Sequence, residues 1–278
     1  MKLAETRALL ERRGLRLQRE RGQNFLVDPE RASALAVLAG VCPGDTVVEI
    51  GTGLGALTRA LAAVAARVVT FEIDAGLVAA LREESLLPPN VELHHADALR
   101  VDLAECVASV PRERARVVAN LPYSTATPLL RALLDQRDHF CDWSVMLQRE
   151  VAARLDARPG ERDYGSFAVL HALTAEVEVV AELAPGAFFP VPKVVSSFAR
   201  VVPRVGDALS NEELLAVERV ARAAFGKRRK TLVNALRGGG FGDEVLGAVE
   251  ALGIDPRARA ETLEPVAFRR LTAQLSGR

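Results

Sequence analysis

The residues best suited to chemistry stand where apolar runs end. Val117-Val118-Ala119 reads as a buried strand, and Asn120-Leu121-Pro122-Tyr123 follows it directly. The Asn120 side-chain oxygen and the backbone carbonyls of Leu121 and Pro122 are acceptors that an exocyclic amino group could donate to, and Tyr123 supplies a ring for stacking on a planar base. A second such place is Gly51-Thr52-Gly53-Leu54-Gly55, between a strand and a helix, where backbone can approach a ligand closely. A third is Glu72, 21 residues after Gly51, suited to accept both hydroxyls of a ribose. A fourth is Asp97, which could accept from the amino group of an adenine. Taken singly, each has a plain reading as a turn or cap, and Gly-x-Gly-x-Gly is shared with dehydrogenases. Successive strand ends carrying Gly51, Glu72, Asp97 and Asn120 point to one nucleotide-binding crevice at the carboxyl ends of a parallel sheet. A dinucleotide oxidoreductase is an alternative for the first two elements. It leaves Asn-Leu-Pro-Tyr unexplained, and the pyrophosphate fingerprint Gly-x-Gly-x-x-Gly is absent.

Positioning these groups requires alternating strands and helices. Helical spacing runs over 3–20, and Asp28-Pro29 starts a second helix that stops near Gly40. Strands are predicted at 45–50, 67–73, 91–94, up to Asn120, at 143–147 and at 195–202, with 176–183 alternating as an edge strand does. Helices are predicted at 56–66, 126–134, 148–157 and from Tyr164. The proline-rich stretch 185–194 places Phe188 where it could face Tyr123 across a flat substrate. After Pro203 strand-like runs stop and helical spacing takes over, broken at Gly238-Gly239-Gly240. This predicts an α/β, Rossmann-like domain over 1–206 and a small all-helical domain over 207–278.

Hydrophobic residues make up 49% of the 278, yet no apolar run is long enough to span a membrane. The charged N-terminus lacks a signal-peptide core, and Cys42, Cys106 and Cys141 form no CxxC pair, so a cytoplasmic protein with reduced thiols is expected. His94, His95, His139 and His171 lack metal-ligand spacing, and no metal is expected. Net charge is zero, but seven basic residues against three acidic ones precede Gln23, among them Arg12, Arg13 and Arg16. Lys227-Arg228-Arg229-Lys230 is a second basic cluster. Two such patches on a neutral body suit local contact with nucleic-acid phosphates, and a solvated helix face is the bland alternative for each.

With these residues in place, the chain resembles the KsgA/RsmA family of small-subunit ribosomal RNA adenine dimethyltransferases. The resemblance runs in order through Gln23-Asn24-Phe25-Leu26, Glu49-Ile50-Gly51 with Gly53 and Gly55, Glu72-Ile73-Asp74, Asp97-Ala98, Asn120 to Tyr123, Gln148 to Ala152, Tyr164-Gly165, Phe188 to Val194, and Arg228 to Leu232. It implies transfer of methyl groups from S-adenosylmethionine to N6 of two adjacent adenosines in the 3′-terminal hairpin loop of 16S RNA, and a role in subunit biogenesis. It further implies that Asn24, Leu26, Gly51 and Gly53 hold the methionine end of the cofactor. Glu72 with Ile73 would take the ribose, Asp97 with Ala98 the adenine, and Asn120 would lie near the sulfonium. Asn120, Leu121, Pro122, Tyr123 and Phe188 would form the catalytic pocket. The implied partner is the 30S subunit or its precursor, met by a monomer whose basic clusters grip RNA. The chain departs from the usual pattern at Thr52, where the family has proline, and at Ser124-Thr125-Ala126, where it has Asn-Ile-Ser. Two other readings are an assembly factor without catalysis, disfavoured by intact Glu72, Asp97 and Asn120, and an adenine-N6 DNA methyltransferase, disfavoured by Leu121 and the C-terminal basic cluster.

Overall fold

The computed structural model describes residues 1–15, 23–204, 206, 209–227 and 229–277, and these fall into two compact units. The first comprises Met1–Ala152 with Glu178–Pro203, the second Ala153–Val177 with Arg204–Arg278. The expected RNA contacts Arg16 and Arg228 lie outside the described residues.

The chain opens with α1 (Leu3–Arg12), β1 (Phe25–Leu26) and α2 (Pro29–Leu38). It alternates through β2 (Thr46–Ile50), α3 (Ala56–Ala62), β3 (Arg67–Glu72), α4 (Ala75–Glu83), β4 (Val91–His95), β5 (Ala115–Asn120), α5 (Ala126–Asp135), β6 (Asp142–Gln148) and α6 (Arg149–Leu155). Then come α7 (Ser166–Thr174), β7 (Ala175–Leu183), β8 (Phe188–Phe189) and β9 (Ser196–Pro203), followed by α8 (Asn211–Phe225), α9 (Leu232–Gly238), α10 (Glu244–Ala251) and α11 (Pro265–Leu275).

Seven strands form one sheet in the order β4-β3-β2-β5-β6-β9-β7, in which β2 to β6 run parallel and β9 joins β6 antiparallel. This is the Rossmann-like α/β architecture expected. Central strands covered on both faces read as unbroken apolar runs, which is why Val47-Val48 and Val117-Val118-Ala119 are wholly buried. At the edge, β7 is buried only at its two ends, Ala175 and Leu183, and is intermediate or exposed between them. The strand starts are tied together by charge: Arg116 bonds both Asp45, at 2.9 Å, and Asp142, and Asp142 also accepts from Arg200 at 2.6 Å. That cluster sits at the end of the sheet opposite the strand termini bearing the expected site.

Local signals account for the helix ends. The Asp28 side chain accepts from the amides of Glu30 and Arg31, capping α2 as expected. The first helix stops at Arg12, short of the predicted residue 20, because Gly14 takes the left-handed conformation at φ 61° and the Leu15 N–H bonds the Leu10 carbonyl. Leu9 and Leu10 of α1 pack with Phe25, Leu54 and Leu77.

In the second unit, a reciprocal cap between Ser210 and Glu213 starts α8. Read linearly, residues 153–177 belong with the first domain and the helical one begins at 207, but the structure packs α7 with α8 and α11. The reason is aromatic and polar: Tyr164 meets the Phe225 ring edge-on, its hydroxyl donates to the Leu263 carbonyl at 2.8 Å, and Phe225 stacks on Phe268.

Candidate active site

A cavity of about 290 Å³ opens outside the carboxyl ends of β2, β3, β4 and β5 in the first unit. The four anticipated strand ends, Gly51, Glu72, Asp97 and Asn120, all line it. So do Asn24, Leu26, Gly53, Ile73, Ala98, Leu121 and Pro122.

The glycine loop turns tightly between β2 and α3. Gly53 has a φ of 57°, and a Cβ there would lie 2.9 Å from the Phe25 ring, so only glycine fits without displacement. The Gly53 N–H donates to the Glu72 carboxylate at 2.8 Å, and the Asp74 N–H to its other oxygen at 2.9 Å. Glu72 thus sets the loop's shape while facing the cavity. Burial raises its pKa above the carboxylate norm, and those backbone N–H groups oppose the rise. Beneath the loop, Glu49 accepts from the Thr58 and Thr70 hydroxyls at 2.6 and 2.7 Å. Burial pushes Glu49 up to about 8, against the pull of those two hydroxyls.

At the far end, Asp97 caps the 3-10 turn Ala98–Arg100 by accepting from the Leu99 N–H at 3.0 Å. Ile73 and Leu99 flank this end with 50% and 40% of their surfaces exposed. Open aliphatic side chains beside acceptor carboxylates could hold a flat ring with hydrogen-bond donors at its edge. Leu99 was not legible from sequence, because nothing local distinguishes an aliphatic group facing a cavity from one facing the core.

In the signature loop, Asn120–Tyr123, Asn120 Nδ2 donates to the Asn24 carbonyl at 2.9 Å. The Pro122 carbonyl already accepts from the Thr125 N–H at 3.0 Å and from its hydroxyl at 3.4 Å. Ser124, Thr125 and Leu129 also border the cavity. Tyr123 is not among the residues that line the cavity; it is half-buried, with its hydroxyl 2.7 Å from Ser196 Oγ. Phe188 is not brought to the cavity: it pairs with Leu26 across β1 and β8 and is buried, 1% exposed, in the cluster containing Met146 and Phe198.

Of the basic residues, Arg12 and Arg13 are engaged within the first unit. Arg12 pairs with Glu84 at 2.6 Å, and Arg13 with Glu84 at 2.8 Å and with Glu83. Lys227, Arg229 and Lys230 are exposed in the second unit.

The family model described as ribosomal RNA adenine dimethylase matches residues 14–275. The ribosomal RNA small subunit methyltransferase A of Moorella thermoacetica is 42% identical over 277 residues, 97% of this chain and 96% of that protein. Its namesake in Geobacter metallireducens is 40% identical over 262 residues, 93% and 95% of the two chains. Among solved structures, a dimethyladenosine transferase from Plasmodium falciparum superposes with a TM-score of 0.71 at 24% identity, covering 88% of this chain and 94% of that one, a likeness of fold. The 23S rRNA methyltransferase ErmE superposes with a TM-score of 0.64 at 28% identity, covering 91% and 100%.

Proposed function

The chain belongs to the ribosomal RNA adenine dimethylase family, and on that premise we propose that it dimethylates N6 of two adjacent adenosines in the 3′-terminal hairpin loop of 16S RNA, using S-adenosylmethionine. The observation that carries this reading is the convergence of Gly51, Glu72, Asp97 and Asn120 on one cavity.

When bound, S-adenosylmethionine supplies an activated methyl group. The protein's part is binding and aim. The Gly51 and Gly53 backbone with Asn24 and Leu26 would hold the methionine end, Glu72 and Ile73 the ribose, and Asp97, Ala98 and Leu99 the adenine. Adenine N6 is a weak nucleophile because its lone pair is delocalised into the ring. Acceptors on both amino protons draw that lone pair out of conjugation and direct it at the methyl group, which is orientation and electrostatics and needs no strong base. The Asn120 amide, with its N–H on Asn24, keeps Oδ1 as one acceptor. Since the Pro122 carbonyl closes the turn, Leu121 supplies the other. The target base leaves its stack to enter, and stacking on Tyr123 offsets part of that cost.

The substrate in this reading is 16S RNA within the 30S subunit or its precursor, met in the cytoplasm by a monomer with a role in subunit biogenesis. The exposed Lys227, Arg229 and Lys230, with Arg228, would contact phosphates, which supports the helical unit that contains residues 209–277 as the RNA-binding part of the chain. Arg12 and Arg13 could join them only by leaving Glu83 and Glu84. No helix among the described residues is long and apolar enough to cross a membrane. The mechanism invokes no metal, and among the described residues no group of three or more His, Cys, Asp or Glu side chains could hold one.

The test is transfer of labelled methyl to small subunits that lack the modification, with Asn120→Ala in parallel and the modified bases mapped. Label on two neighbouring loop adenosines, lost in the variant, is expected. Binding without transfer would favour the assembly-factor reading instead.

A further inference from the structure

We infer that Ser196 is a positioning residue for methyl transfer, its hydroxyl fixing the plane in which the Tyr123 ring meets the target base. The inference rests on the reading of Tyr123 as the surface on which that base stacks.

The signature turn holds the backbone of Tyr123 but not its ring. The Thr125 N–H and hydroxyl both reach the Pro122 carbonyl, which closes the turn around residues 122–125. The side chain then has two torsions of its own. It is only half-buried, so packing constrains it on part of its surface. What remains is the contact at its tip, where the phenol oxygen lies 2.7 Å from Ser196 Oγ, 73 residues further along the chain.

Ser196 is a suitable anchor. It is fully buried at the first position of β9, opposite Gln148 in the antiparallel pairing with β6. The preceding Val195 carbonyl accepts from the Arg149 N–H at 3.1 Å, and Phe198 and Ala199 behind it are also fully buried. Its Cα is therefore held by ladder bonds and core packing, and the hydroxyl has little freedom. A buried hydroxyl is unfavourable without a partner, so serine at this place makes sense through the phenol it meets. Burial also holds the Tyr123 hydroxyl above its ordinary value, so the pair stays neutral and hydrogen-bonded at neutral pH. Either hydroxyl can donate. A ring pinned at its turn and at its tip presents a fixed face, and a fixed face keeps N6 in line with the transferable methyl group.

The test is a double-mutant cycle of single-turnover methyl transfer to unmodified small subunits, with cofactor affinity and thermal unfolding measured on each protein. Ser196→Ala is expected to lower the single-turnover rate roughly three- to tenfold, the scale of one net hydrogen bond, and to leave the affinity for S-adenosylmethionine unchanged. Tyr123→Phe, which keeps the ring and removes the hydroxyl, is expected to do the same. The double variant should then be no slower than the slower single one, because both lose one contact. Losses that multiply would overturn the inference, since Ser196 would be acting through something other than the Tyr123 hydroxyl. Should Ser196→Ala not fold, Tyr123→Phe alone decides, and a wild-type single-turnover rate in that variant sinks the idea. A wild-type protein inactive on small subunits would instead refute the proposed function, a result separate from either outcome of the cycle.

Discussion

The Asn120 side-chain amide and the Asn24 backbone carbonyl lie 2.9 Å apart, joining the segment that enters β1 to the end of β5. A carbonyl can only accept, so this contact fixes which end of the amide is nitrogen and leaves Oδ1 to accept from a substrate amine. Asn120→Ala should reduce methyl transfer by about two orders of magnitude or more, on the scale of a removed transition-state hydrogen bond. Asn120→Asp should do no better, having no N–H to offer Asn24. Single-turnover rates check this, and an aspartate variant keeping wild-type speed would show that the polarity is irrelevant.

Gly53→Ala should damage the cofactor site without touching a side chain of the signature loop. The new Cβ would lie 2.9 Å from the Phe25 ring at a φ of 57°. Backbone strain of this kind costs about 1–3 kcal/mol. Relieving it would pull the Gly53 N–H away from Glu72. Calorimetric titration should show S-adenosylmethionine affinity falling at least about tenfold, and unchanged affinity would mean that the loop tolerates a side chain.

Glu49 predicts a pH dependence of stability. Its folded value of about 8 lies above the ordinary 4.5, raised chiefly by burial. The native state therefore holds a proton that the unfolded chain releases. The stabilisation is complete below about 4.5 and is lost as pH rises through about 8. In that window the contribution falls by up to about 1.4 kcal/mol per pH unit. Glu49→Gln removes the titration, so denaturant unfolding between these limits should show a shallower decline than in the parent protein. Parallel pH profiles would count against a protonated Glu49.

The basic clusters should separate by salt. If Lys227, Arg229 and Lys230 meet RNA phosphates, replacing all three by alanine should lower the slope of log affinity against log salt by about 2–3. Replacing Arg12 and Arg13 should change that slope less and instead loosen α1, since both are paired with glutamates of the α4 segment. Filter binding across ionic strength, with proteolysis of the N-terminal segment, distinguishes the two, and equal slopes for both variants would contradict the assignment.

Asp142→Ala should act on stability alone. Asp142 is buried and accepts from Arg116 and Arg200 at the strand ends opposite the cavity. Arg116 keeps Asp45 and Arg200 is about a third exposed, so neither is left as a bare buried charge, and the loss is roughly 1–3 kcal/mol. Urea unfolding should register a loss of that order with S-adenosylmethionine affinity unchanged. A loss of affinity instead would tie this end of the sheet to the site.

The alternation of strands and helices and the residues at the strand ends can be read from the sequence. Val117-Val118-Ala119 has the apolar run of a strand covered on both faces, Asp28-Pro29 carries a helix cap, and Gly51, Glu72, Asp97 and Asn120 terminate their runs in register. Such features follow from neighbours within a few positions, so they are legible along the chain. Which distant groups meet follows from the folded arrangement. It buried Phe188 against Leu26 instead of facing it to Tyr123, paired Arg12 and Arg13 with α4, and joined residues 153–177 to the helical unit. It also left Leu99 open at the cavity and set Ser196 against Tyr123. A side chain's partner across 70 residues depends on how the sheet orders its strands and which face each helix covers, and no local spacing encodes that order.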